Sequence, residues 1–201
     1  MRFTIRVLAE EHEALSTMLK STLQLLAQSK RSDVMPDFST LRAMLLYLDE
    51  FPHQHHHRKE SEILYPKLRA RAPLARGLID YLDFDHARGS HKIRDVEHAL
   101  LVFEVMGRSH RHIFEQAMQS YVDFYMAHIA LEEREIPLLA ERVLKDEDWD
   151  QLDSAFGENS VQSVLQPAQH EFGALFARIA DMAPSLGLGT SNRRSVLPCV
   201  S

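Results

Sequence analysis

A single cysteine, Cys199, stands among the 201 residues, so neither an internal disulfide nor a thiolate-rich zinc site is open to this chain. Glycine is scarce, seven in all, which disfavours a turn-rich all-β fold and favours long helices. Positive charge is in deficit: 23 Lys and Arg against 29 Asp and Glu give a formal net charge of -6. Binding a phosphate backbone requires a net basic face, which argues against nucleic acid as the main partner. No apolar run reaches bilayer length. Met1-Arg2-Phe3-Thr4-Ile5-Arg6 leads straight into charged sequence without a secretory apolar segment. A cytoplasmic protein with no membrane partner is the expectation. The length suits one domain with an extension and can bury a core. Its 45% apolar and 26% charged residues are ordinary for a soluble protein.

Histidine is the residue in excess, with twelve copies, and the positions of these residues carry the argument. Apolar residues recur at helical spacing in four long stretches. The first, about 5–29, carries Leu8, Leu15, Leu19, Leu23 and Leu26 on one stripe. After Pro36, Asp37 or Ser39 can cap a second helix, about 38–69, with Leu41, Leu45, Leu48, Leu64 and Leu68. The third, about 74–106, carries Ile79, Leu82, Ile93, Val96, Leu100 and Phe103, and Gly107 and Ser109 read as a stop followed by a new N-cap. The fourth, about 110–144, carries Phe114, Tyr121, Phe124, Leu131 and Leu139. Short connections between long amphipathic helices predict an all-α, up-down-up-down four-helix bundle over 1–145. A C-terminal helical extension, 146–183, is expected to pack on it through a segment around Trp149 and the Phe172–Ile179 face, and 184–201 is expected as an extended tail. A homodimer contact through Phe172–Ile179 is the lesser expectation.

Polar residues interrupt each apolar stripe. His12 falls between Leu8 and Leu15, His56 and Glu60 between Leu48 and Leu64, His86 after Leu82, and His128 and Glu132 after Phe124. Side chains on a core stripe point inward, where an unpaired polar group is expensive, so six of them need a common reason. Their heights supply it. His12 lies about 17 residues from the end of its helix and His56 lies 18 from the start of the next. The matching counts are 13 and 12 across the second turn, then 20 and 18 across the third. At about 1.5 Å per residue these mismatches are a few ångströms, so antiparallel helices bring all four histidines into one layer. His56-x-x-x-Glu60 and His128-x-x-x-Glu132 each place imidazole and carboxylate one turn apart on one face. Pro66 and Pro137 come soon after and are expected to bend their helices just beyond. Imidazole and carboxylate without thiolate suit iron or manganese, with zinc also accommodated, and two carboxylates from opposite helices can bridge two ions.

Phe51-Pro52-His53-Gln54-His55-His56-His57-Arg58-Lys59-Glu60, taken with His128-Ile129-Ala130-Leu131-Glu132-Glu133, resembles the hemerythrin-like (HHE cation-binding) family over about residues 5–145. The resemblance implies a non-haem di-iron site, bridged by two carboxylates and an oxygen atom, that binds dioxygen or responds to nitric oxide. His12, His56, His86 and His128 would then be terminal ligands, and Glu60 and Glu132 the bridges. The sequence departs from the oxygen carriers on the third helix. Those resemble His-x-x-x-His, whereas here Ser90 follows His86, and His91 points about 140° away on a regular helix. Each iron would hold two nitrogens, two carboxylate oxygens and the bridge, leaving one open position, one more in total than a five-histidine carrier has. A site more readily oxidised than a reversible carrier is the expectation.

Among the remaining histidines, His53 shares the Glu60 face and is an alternative to His56, and His57 is expected to pack at the helix edge. His55, His98, His110, His112 and His170 are read as surface residues. Solvation is expected for Asp83 and Asp85, although a hydrogen bond to His86 is open to them. The runs Glu10-Glu11-His12-Glu13 and Asp146-Glu147-Asp148 read as solvated faces, and Tyr121, Phe124 and Tyr125 as core walls. Functionally, the leading reading is a binding protein that senses, stores or scavenges dioxygen or nitric oxide, or buffers iron. A di-iron oxidase, peroxidase or iron-centre repair enzyme is the alternative. Ferritin-type oxidases use Glu-x-x-His pairs in a carboxylate-rich shell, unlike the nitrogen-rich set here. A structural bundle with an adventitious ion is the third reading.

Overall fold

A computed structural model describes residues 2–157 and 171–183 together with Leu186 and Leu188. The described residues are helical, without strands: α1 Phe3–Arg31, α2 Phe38–Phe51, α3 His57–Lys59, α4 Tyr65–Arg71, α5 Arg76–Met106, α6 Arg111–Val143, α7 Asp146–Gly157 and α8 Glu171–Met182. Wide π turns, Pro52–His56 and Glu60–Leu64, link α2, α3 and α4 into one run. The expected second helix therefore contains two irregular turns, both at the histidine-rich segment. No helix among the described residues is long and apolar enough to cross a membrane.

Local signals set the ends. Asp37 caps α2, accepting from the Ser39 amide at 2.9 Å and from the Thr40 hydroxyl at 2.6 Å. Gly107 ends α5 at φ 80°, a backbone setting that glycine adopts without strain. Ser109 does not cap α6. A short 3-10 turn, Arg108–His110, leads into it, and the Ser109 hydroxyl meets the His110 ring instead. Pro66 stands in the first turn of α4, just after the π turn, where its missing N–H is easily tolerated. Pro137 lies inside α6, which continues through it.

Pairs of contacts fix the neighbours. Lys30 meets Glu115 and His12 meets Glu133 between α1 and α6, so the two run antiparallel. Arg42 with Glu104 and Arg69 with Asp80 do the same for the α2–α4 run against α5, as do Phe103 with Phe114 and His86 with His128 for α5 against α6. The apolar interior falls into two layers. One contains Leu15, Leu19, Leu41, Leu48, Ile93, Phe103, Phe114 and Tyr121, and the other Ile5, Leu8, Leu64, Leu68, Ile79, Leu82, Ile136 and Trp149. The expected stripes of the first three helices are buried apart from half-buried Leu23. On α6 the stripe is shifted: Met118, Val122, Ile129 and Ile136 are buried while Phe124, Leu131 and Leu139 are half-buried. On each of α1, the α2–α4 run, α5 and α6, the polar ligand-type residues lie where one apolar layer gives way to the other.

α7 packs on α1 and α8 on α2. Ile179 of α8 is fully buried and Phe176 sets its ring against Tyr47 at 5.6 Å. Residues 158–170 of the expected extension, and the tail apart from Leu186 and Leu188, lie outside the described residues. Asp148 is buried rather than solvated, because Arg71 reaches it at 2.8 Å and the Lys145 amide donates to it at 3.1 Å.

The Asp37 cap holds the start of the helical run that carries His56 and Glu60. Asp37→Ala is expected to lower the unfolding free energy by about 1 kcal/mol, measured by urea denaturation. No change in the midpoint would mean that the cap is redundant.

Candidate metal centre

The six residues singled out from the sequence converge in the layer between the two apolar zones, each no more than 7% exposed. Their geometry has an internal symmetry. The Glu132 Oε2 atom lies 3.3 Å from His12 Nε2 and 3.4 Å from His128 Nε2. The Glu60 Oε2 atom lies 3.6 Å from His56 Nε2 and 3.4 Å from His86 Nε2. His12 and His56 form an edge-to-face pair with ring centroids 4.6 Å apart, and His86 and His128 form another at 5.0 Å. Each carboxylate therefore spans from one imidazole pair to the other. Two donors about 2.1 Å from a common cation, at right angles, stand about 3 Å apart, which these separations approach.

The outward ring nitrogens are held by fixed acceptors. His12 Nδ1 is 3.2 Å from Glu133 and His56 Nδ1 is 2.9 Å from Glu11. Carboxylates only accept, so these nitrogens carry the hydrogen and, in the neutral ring, Nε2 is left with its lone pair facing inward. His86 reaches the same state through a relay: Ser61 donates to Asp83 at 2.6 Å and so receives the His86 Nδ1 hydrogen at 3.0 Å, while Arg69 anchors Asp83 at 2.6 Å. Asp85 is buried, held by Arg88 at 2.8 Å, with an oxygen 4.0 Å from His128 Nδ1. Outer carboxylates that orient imidazoles are a usual companion of metal-ligating histidine.

The inward atoms have no such partners. Apart from the Tyr47 hydroxyl, every buried side-chain nitrogen or oxygen without a hydrogen-bond partner among the described residues belongs to these six: Nε2 of His12, His56, His86 and His128, Oε2 of Glu60 and Glu132, and Nδ1 of His128. Leaving so many buried polar atoms unsatisfied is costly, and a cation coordinated by the inward lone pairs would satisfy them together. The residues present thus fit a bound metal cation. Without one, charge is poorly balanced. Burial and the neighbouring Glu132 push the Glu60 carboxyl well above its ordinary range. Glu132 is held well below it: burial opposes its charge, but the facing His12 and His128 imidazoles prevail. Burial likewise opposes charge on His12, yet Glu132 and Glu133 raise it to about 9, whereas burial takes His86 down to about 3.

Three expectations from the sequence are corrected. His57 is not an edge neighbour: it is buried, its ring stacks on His86 at 3.8 Å and 8°, and the Tyr125 hydroxyl meets its Nε2 at 2.8 Å. Adjacent residues about 100° apart on a helix are both enclosed where neighbours pack on two sides, as Glu11 and His12 are on α1, and Tyr125 covers the His57 side of this run. Glu11 is fully buried rather than solvated, paired with His56 and with the equally enclosed Lys59. Asp85 is buried too, because Arg88 supplies its counter-charge. Tyr65, unmarked by any sequence signal, donates its hydroxyl to Glu132. His53, His91, His98 and His112 are exposed and His55 and His110 half-buried, while His170 lies outside the described residues.

Two outcomes are expected for metal-free protein. His86 favours folding above its unfolded value of 6.5 and loses that contribution as pH falls toward about 3. His12 contributes fully below 6.5 and loses its contribution as pH rises toward 9. The urea midpoint should therefore fall on both sides of that value, and a flat profile across it would contradict the assignment. Glu11→Gln strips Lys59 of a buried carboxylate and should destabilise the protein by about 3 kcal/mol, read from the same titration. A loss within error would show that Lys59 escapes to water.

Comparison with known families agrees with this arrangement. No curated protein and no solved structure matches the chain. A family model does, the hemerythrin HHE cation-binding domain, over residues 4–137. That span takes in all six inward-facing ligand-type residues and most of the helices that position them, and the chain belongs to the hemerythrin HHE cation-binding domain family.

Proposed function

We propose that this chain holds two iron ions and uses them to bind or sense a small diatomic ligand, dioxygen or nitric oxide, or to buffer iron. The observation that carries the reading is the sharing of each carboxylate between two imidazole pairs, with Oε2 of Glu60 and of Glu132 each 3.3–3.6 Å from one Nε2 of either pair. In this reading His12 and His56 hold one ion and His86 and His128 the other, with Glu60 and Glu132 as bridges. Donors of nitrogen and oxygen without sulfur suit iron, and accommodate manganese or zinc. The ions supply a Lewis-acidic, redox-active pair when bound. The protein's own residues orient the imidazoles through Glu11, Glu133 and the Ser61–Asp83 relay, hold Glu132 with the Tyr65 hydroxyl, and exclude water with the two apolar layers.

The antiparallel pairings support an up-down-up-down four-helix bundle over 1–145. α7 and α8 support a 146–183 extension packed on its outside, and the same reading takes the protein as cytoplasmic, with neither membrane nor nucleic acid as partner. Burial of Ile179 against this chain's own core favours intramolecular packing over a homodimer contact there. A nitrogen-rich shell favours ligand binding over turnover.

Protein from iron-supplemented cells is expected to contain about two irons per chain, with near-ultraviolet bands of an oxygen-bridged pair. His56→Ala and His128→Ala should each lose the bands while the helical circular dichroism persists. Zinc in both positions, or bands that survive both substitutions, would defeat the di-iron reading. The di-ferrous protein should oxidise promptly in air, and an oxygenated species stable for hours would instead mark a reversible carrier.

A further inference from the structure

A shallow surface cleft of about 10 Å³, about the room one water needs, opens beside the site and reaches His57, which stacks on His86. Asp49, His53 and Ser90 are among its outer residues, Leu48, Ile93 and Tyr121 help form its walls, and His57 and Tyr125 lie on its inner side. Exposure grades along it: His53 is exposed, Asp49 and Ser90 are half-buried, and His57 is buried. His53 and His57 are four residues apart on the same irregular run, so one helical face carries an imidazole from the solvent to the interior.

The inner imidazole is already among metal-binding partners. Ligand atoms of His57, His86 and His128 all lie within 4.8 Å of one another. Yet His57 is unsuited to be a permanent ligand of the same ion as His86. A nitrogen lone pair lies in the plane of its ring, and the two rings are parallel to 8° and stacked at 3.8 Å. An ion in the plane of His86 is therefore displaced by a ring thickness from the plane of His57. The two rings can take an ion in succession, not together. The His57 Nε2 atom is meanwhile satisfied by the Tyr125 hydroxyl, unlike the four inward nitrogens.

The mouth has matching charge. Asp49 feels Glu50, Arg94 and His53, and Glu97 feels Asp49, Glu50 and Arg94. Asp49 lines the cleft with the exposed His53, while Glu50, Glu97 and Arg94 stand near enough to act on it, so the surround is acidic and attracts a divalent transition-metal ion that this donor pair holds weakly.

We propose that this cleft is the loading route of the site: a divalent metal ion is captured at the mouth by Asp49 and His53 and passed inward by His57 to His86 and His128. The proposal rests on the two-metal reading above, and it assigns to His53 and His57 a transfer role separate from that of the resident ligands.

The test uses metal-free full-length protein and cobalt(II), whose visible absorption reports coordination, mixed in stopped flow. Wild type should bind about two cobalt ions, and a different final stoichiometry would overturn the two-metal reading itself. Asp49→Asn combined with His53→Ala should slow uptake about tenfold, through loss of electrostatic focusing and of the capture ligand, with final stoichiometry and spectrum unchanged. Ser90→Leu, which narrows the cleft without removing a donor, should slow it as well. His112→Ala, an exposed histidine elsewhere, should leave the rate as in wild type. Uptake as fast as wild type in both cleft variants overturns the route. A cleft variant with an altered final spectrum or stoichiometry overturns it too, because the residue would then be a resident ligand.

Discussion

Two buried carboxylates, each shared by imidazoles from different helices, are the constraint on which the rest depends. Glu60 and Glu132 lie in a layer with apolar residues above and below, where an ionised carboxylate without compensation is strongly disfavoured. Everything nearby answers that cost. Four imidazoles face the two carboxylates, the Tyr65 hydroxyl reaches Glu132, and the outer nitrogens of three rings are fixed so that their inner lone pairs converge. A purely apolar layer at this height would pack with less trouble, so the arrangement makes sense as a site that gives up stability for cation binding.

The orientation of the rings is as much a product of the helix surfaces as of the site. Glu11 and His12 are adjacent on α1 and both buried, one reaching across to His56 and Lys59, the other to Glu132 and Glu133. Lys59 also lies 5.1 Å over the Phe156 ring of α7. The extension therefore touches the ligand-bearing segment through an aromatic face, and Lys59 links that contact to Glu11 of α1 by a buried ion pair.

Most of the site was legible in the sequence because helical periodicity is a strong signal where it is regular. His12, His86 and His128 interrupt regular stripes, and counting residues from helix ends places them at one height. The stretch from Pro52 to Leu64 was less legible. His57 stands one step around from His56 and is enclosed because Tyr125 of α6 covers it, a contact that local periodicity does not report. Burial of Glu11, Asp85 and Asp148 was hidden for a different reason. Each is accommodated by a cation distant in sequence or on a neighbouring turn, Lys59, Arg88 and Arg71 respectively, and such pairings belong to tertiary structure rather than to local pattern. Tyr65 carried no signal, since a tyrosine on an apolar stripe reads as core whether or not its hydroxyl finds an acceptor.

The two π turns also bear on how this segment can change over evolutionary time. Each turn winds extra backbone into the run between Phe51 and Tyr65, and one residue more or less on a regular helix rotates the downstream residues by about 100°. Removing a single residue from a wide turn instead closes it to a regular one, leaving Leu64 and Leu68 on the interior face while the histidines within the turn move. A one-residue deletion at a wide turn would therefore alter the site while sparing the seating of the helix beyond it. Length can vary here as well as sequence, because a wide turn takes up a residue that a regular helix would pass on as a rotation.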